Sequence, residues 1–126
     1  MRDRLLRGGP LSFRVVLGFL ASMQPAGLAL AHHGWSSYDQ DRPLTYSGRV
    51  QKSGYEHPHG FVVIESQGRT LTVVLAPPLR MENRGLSRDA IAPGREVTVE
   101  GYALRSDPTE IRAERITVAG KAVELR

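Results

Sequence analysis

The chain contains no cysteine, which excludes a disulfide framework, a thiolate-ligated zinc or iron–sulfur centre and a thiol nucleophile. Aromatic residues are scarce at 6%, with a single tryptophan, too few for the stacking platforms on which single-stranded nucleic acids lie. No uninterrupted apolar run reaches the ~20 residues of a membrane span; the apolar stretch near the N-terminus is broken by Ser22, Gln24 and Pro25. Internal repeats, low-complexity tracts, a glycine-rich phosphate loop, an H-E-x-x-H spacing and a Ser–His–Asp arrangement are all missing, which leaves enzymes as the weakest class.

The remaining composition is that of a folded chain. Hydrophobic residues make up 40% and charged residues 24%, close to globular averages, and 126 residues suit one domain. The formal charge of +4 is unevenly placed: Arg2, Arg4, Arg7 and Arg14 face a single acid, Asp3, at the start of the chain. The run Val15-Val16-Leu17-Gly18-Phe19-Leu20-Ala21 follows, then Gln24-Pro25, then Ala29-Leu30-Ala31. A basic n-region, a short h-region and an A-x-A site predict a Sec-type signal peptide over residues 1–31, favoured over a membrane anchor, with cleavage after Ala31. Removing those 31 residues leaves 95, and takes away four of 17 basic and one of 13 acidic residues, for a net charge of +1. The expected product is periplasmic or secreted, without a membrane span, and too nearly neutral for nucleic acid to be its partner.

Beyond the signal, residues 32–43 (HHGWSSYDQDRP) lack either period and read as an irregular N-terminal arm. A single domain is expected over 44–126. Its first strand, Leu44–Lys52, has Gly48 in its middle, which suggests a bulge or bend. Phe61–Glu65 and Arg69–Leu75 flank Gln67-Gly68, the signature of a tight hairpin. Ala76-Pro77-Pro78 stops the third strand, and two short helical pieces follow, with Ser87 as N-cap of the second. Glu96–Tyr102 alternates with period two. Ser106–Thr109 reads as a turn, and Ile111–Val118 alternates again, with Ile111, Ala113 and Arg115 on one face. A last turn at Ala119-Gly120-Lys121 leads to a short sixth strand. Five to six strands with a small helical insert after the third predict an OB-like β-barrel, with a small β-sandwich as the alternative.

All four histidines, His32, His33, His57 and His59, fall early in the processed chain. Cleavage after Ala31 would make His32 the N-terminal residue. Its free amine, with a pKa of about 7.7–8.0, and its imidazole could close a chelate ring on a divalent transition metal. A further imidazole completes a nitrogen set that Cu(II) favours, with Zn as the other candidate. Pro58 biases His57 toward extended backbone, so His57 and His59 are expected to project to one side. Glu56 and Asp39 could orient a ligating ring. The alternative is that these histidines are solvated or bonded to backbone.

Trp35 could stack on a ligand, but an aromatic in such an arm is expected to tuck into the core. Arg80, Arg84 and Arg88 could form an anion-binding stripe, although the interleaved Glu82 and Asp89 favour a solvated helix face. Nothing places Glu56 and Glu110 together as a catalytic pair.

The chain resembles a family of small secreted bacterial proteins of unknown function. The resemblance rests on His32-His33-Gly34-Trp35 with Tyr38-Asp39, on Pro58-His59, and on Leu75-Ala76-Pro77-Pro78 with Arg80-Met81 and Arg84-Gly85-Leu86. It continues through Val97-Thr98-Val99-Glu100-Gly101 and Ile111-Arg112-Ala113-Glu114-Arg115-Ile116. It implies export and one β-rich domain, and it singles out His32, His33 and His59; His57 stands where the family has Asn. The expected protein is therefore an exported binder of a metal ion or small ligand, with Cu(II) favoured and catalysis not required. The rival expectation is a non-enzymatic module that docks an envelope protein.

Overall fold

A computed structural model of the chain describes residues 33–126; the segment read as a signal peptide and His32 lie outside the described residues. The elements are β1 (Leu44–Gly54), β2 (Phe61–Ser66), β3 (Arg69–Val74), α1 (Pro78–Asn83), β4 (Glu96–Leu104), β5 (Asp107–Val118) and β6 (Lys121–Glu124). Their order in the sheet is β3-β2-β1-β4-β5-β6, antiparallel throughout, and a parallel β3–β5 pairing closes the first five strands into a barrel. The helix between β3 and β4 and the closure through β5 are the OB topology that the strand pattern predicts. Closure gives both faces of the strands a purpose: Val62, Ile64, Leu71, Val73, Val99 and Ile111 are fully buried inside, and the barrel strands keep no raw edge against one another.

The glycine in β1 plays a different part from the one expected. The ladder shift in β1 lies between Val50 and Lys52, so Gln51 is the bulged residue. Gly48 instead admits a neighbouring backbone: a Cβ there would overlap the Glu65 carbonyl oxygen. At Gly101 both effects coincide. The β4–β5 register shifts between Glu100 and Gly101, and a Cβ would overlap the carbonyl oxygen of Arg112.

That second shift corrects the expected faces of β5. Glu100 pairs with Arg115 and Gly101 with Ala113, which leaves Glu114 as an extra residue on β5. Strict alternation would put Arg115 inside with Ile111 and Ala113. The bulge at Glu114 resets the phase, so that Ile111, Ala113 and Ile116 are all fully buried. The turn before β5 is also tighter than expected. It is confined to Arg105-Ser106, and the strand resumes at Asp107, whose carboxylate accepts from the Thr109 N–H (3.0 Å) and hydroxyl (2.7 Å).

The helical insert covers one end of the barrel. Pro78 occupies the first turn of α1, where its missing N–H costs nothing. The second piece is a 3₁₀ turn, Asp89–Ile91, and Ser87 Oγ accepts the Ala90 N–H at 3.3 Å. Met81, Leu86 and Ile91 are driven into the core. Met81 lies against Gly60, at the end where β1 stops and β2 begins, and the opposite mouth carries a cleft lined from the arm, β1, β3 and the β4–β5 turn. Among the described residues no helix is long and apolar enough to cross a membrane.

Candidate functional site

The arm is fastened to the barrel, and by a different aromatic from the one expected. Tyr38, not Trp35, enters the core: it is 1% exposed, bridges to Leu104, and its hydroxyl donates to Glu110 Oε2 at 2.7 Å. Burial, then the hydrogen bond and negative charge of Glu110, push the Tyr38 phenol well above its ordinary pKa. Backbone bonds extend the attachment. The Asp39 N–H donates to the Ala103 carbonyl at 2.9 Å and the Arg105 N–H to the Ser37 carbonyl at 3.1 Å, while the Arg105 guanidinium donates to the carbonyl of Ser36.

Trp35, in a 3₁₀ turn (Trp35–Ser37), is half-buried on the outside of the barrel. The guanidinium carbons of Arg112 and Arg126 each lie 4.3 Å from its ring, and Tyr102 meets it edge-on at 6.3 Å. Its π surface is thus occupied by the protein's own cations and is not open to a stacked ligand. Glu114 supplies the balancing charge: it accepts from the Tyr102 hydroxyl at 2.5 Å and pairs with Arg126 at 3.5 Å. The hydrogen bond to Glu114, with burial second, raises the Tyr102 pKa.

Arg112 is the hub of this face. It donates to the His33 carbonyl at 2.7 Å, lies over Trp35, and sits 5.9 Å from the Tyr38 ring. Its Nε is buried and has no hydrogen-bond partner among the described residues. Burial lowers its pKa, and nearby Arg126 and Arg80 lower it further. The sequence offered no signal for this hub, because an outward-facing arginine on a strand looks like any solvated one.

The sequence-predicted site residues occupy several places. His33 lies on the arm, its ring edge-on to Tyr38 at 6.5 Å. His57 is exposed and lines a groove with Pro77, Leu79, Arg80, Asn83 and Arg84. The His57–Pro58 peptide is cis, and His59 is half-buried beside the buried Gly60. Glu56 is exposed. Asp39 lines the cleft at the mouth of the barrel away from the insert, where none of the described histidines lies. Among the described residues no three His, Asp or Glu side chains converge as a ready metal site.

The arginines of the helical insert are exposed, as expected of a solvated face, and each also donates to a backbone carbonyl. Arg80 donates to the Leu125 carbonyl at 3.1 Å, and Arg84 to the carbonyls of Glu124 (2.7 Å) and Arg126 (3.1 Å). Arg88 donates to the Tyr55 carbonyl at 3.4 Å and lies 5.4 Å from its ring. They staple the C-terminal segment and the β1–β2 loop to the insert.

No curated protein matches the chain. Among solved structures it is similar to part of the crystal structure of a complex of TiaS with tRNA and ATP, with 22% identity and a TM-score of 0.48; the match covers 68% of this chain and 19% of that one. The model of one protein family matches residues 20–111, well over half of the chain, and the protein belongs to that family, DUF6152, a family of unknown function.

Proposed function

We propose that the protein is an exported ligand-binding barrel that takes a divalent transition metal, Cu(II) before Zn, at histidines presented by its N-terminal arm. The observation that carries this reading is the fixed position of His33, whose carbonyl is held by Arg112 at 2.7 Å behind the buried anchor Tyr38. A chain cleaved after Ala31 would begin one residue before that carbonyl. The amine and imidazole of His32 would then chelate from a platform that is already ordered, which lowers the entropic cost of closing the site. His59 adds a nitrogen, with His33 or His57 as a further donor. Met81 is fully buried, so nitrogen donors dominate and the harder Cu(II) and Zn are preferred to Cu(I). The role is binding, carriage or buffering of metal in the envelope.

The test is a Cu(II) titration of the chain purified after export, its first residue read by mass spectrometry, followed by calorimetry and electron paramagnetic resonance. Tight one-to-one binding with a nitrogen-rich spectrum is expected, and it should be lost when one extra residue precedes His32. Weak binding, or equal binding by both forms, would overturn the reading.

A second reading, a module that docks an envelope protein, draws on Leu79. This residue is 63% exposed in the groove that also holds His57, Arg80 and Arg84. Leu79→Asp should abolish such docking in a pull-down and leave the Cu(II) titration unchanged.

A further inference from the structure

The mouth of the barrel away from the insert holds a cleft of about 420 Å³, within the size range of small-molecule sites. Leu44 and Tyr46 of β1 form part of its floor and pack on the core beneath. Asp39, Asp41 and Arg42 enter from the arm, Arg69 from the start of β3, and Arg105 from the β4–β5 turn, its guanidinium already held by the Ser36 carbonyl.

Arg42 and Arg69 differ from most of the other described arginines. Arg49, Arg115 and Arg126 pair with glutamates, and Arg80, Arg84, Arg88, Arg105 and Arg112 donate to backbone carbonyls. Among the described arginines that leaves Arg42, Arg69 and Arg95 without a side-chain hydrogen bond or ion pair, and two of those three line this one cleft. The carboxylates of Asp39 and Asp41 likewise have no such partner among the described residues. Opposite charges that share one concavity without pairing leave both kinds of polar group available to a ligand.

We infer that the cleft binds a small zwitterion with an apolar side group, of the amino-acid class. The guanidinium groups of Arg42 and Arg69 take the carboxylate, for which their planar forks suit two parallel hydrogen bonds. Asp39 and Asp41 take the ammonium, and Leu44 and Tyr46 receive the side group. A plain anion would leave the two aspartates unpaired and repelled, and a plain cation would do the same to the arginines. The class of ligand therefore follows from the charge pattern. The site shares no donor with the proposed histidine chelate, where Asp39 would only orient a ring, and it stands whether or not metal binds.

The experiment is a titration of the purified protein with L-phenylalanine, followed through backbone amide NMR shifts. 3-Phenylpropanoate, which lacks the ammonium, and phenethylamine, which lacks the carboxylate, serve as matched probes. Saturable shifts are expected at Leu44, Tyr46, Arg69 and Leu104, with each matched probe at least about tenfold weaker, a difference of roughly 1.4 kcal/mol. Arg69→Gln and Asp41→Asn, both at exposed positions, should each weaken phenylalanine by about tenfold or more while the remaining amide spectrum stays in place. The absence of saturable shifts, equal binding of 3-phenylpropanoate, or wild-type affinity in both variants would overturn the inference.

Discussion

Tyr38 shows how much can rest on one hydroxyl. In Tyr38→Phe the ring still fills its place, but Glu110 loses a donor at the edge of the core. The expected cost is about 1–3 kcal/mol, read as a lower midpoint in urea. The pH dependence has a definite sign. The folded state raises the Tyr38 pKa, so this stabilisation is complete below the unfolded value near 10 and is lost as pH climbs from there toward the higher folded value. Tyr55 and Tyr102 are shifted in the same direction, so Tyr38→Phe should flatten the alkaline fall in stability without abolishing it. The sequence suggested an aromatic anchor in the arm and pointed to Trp35. What decides between the two is Arg112 and Arg126, which draw the indole to the outside, and no local pattern in the arm encodes those distant cations. Gly101 is a further single-residue case. Gly101→Ala sets a methyl against the Arg112 carbonyl and should cost roughly 2–4 kcal/mol, measured by thermal unfolding.

Strands and turns were largely legible from residue order, since the period-two runs and the Gln67-Gly68 and Ala119-Gly120 turns fall where the hairpins form. Register within the strands was not. The bulge at Gln51 follows the last buried residue of β1, Val50, and the polar Lys52 and Ser53 beyond it tolerate either phase; the one at Glu114 is visible only once Ile116 is known to be inside. Deleting Glu114 therefore offers a test of the element. With the extra residue gone, strict alternation alone puts Ile111, Ala113 and Ile116 on one face. The variant should therefore keep its strand signal in circular dichroism and lose only about 1–3 kcal/mol with the Glu114 contact to Tyr102; failure to fold would show that the bulge does more than reset the phase. The arm and the C-terminal segment meet where Arg126 lies over Trp35. Arg126→Ala removes one of the two cations at Trp35 and should shift the emission of this sole tryptophan, with little change in global unfolding.

At the scale of the whole molecule, the barrel brings together residues that mean little apart. Arg42 and Arg69 are distant in the chain, and each alone reads as an ordinary surface arginine; only closure of the sheet puts them in one cleft with Asp39 and Asp41. That part of the candidate site was illegible for a physical reason: its chemistry lies in charges left unpaired, which sequence does not record. The histidine clusters, by contrast, were legible because they are local. The seam between β3 and β5 also orders events in time. Its paired positions, such as Thr72 and Glu110, are separated by 38 residues, so loop closure must precede any gain from that pairing. Until β5 is in place, β3 and β4 each carry an open row of donors and acceptors. A chain ending at Ser106 should therefore form soluble aggregates in a light-scattering assay instead of a smaller barrel, and the intact protein should fold in a single late step, set by the arrival of its last long strand.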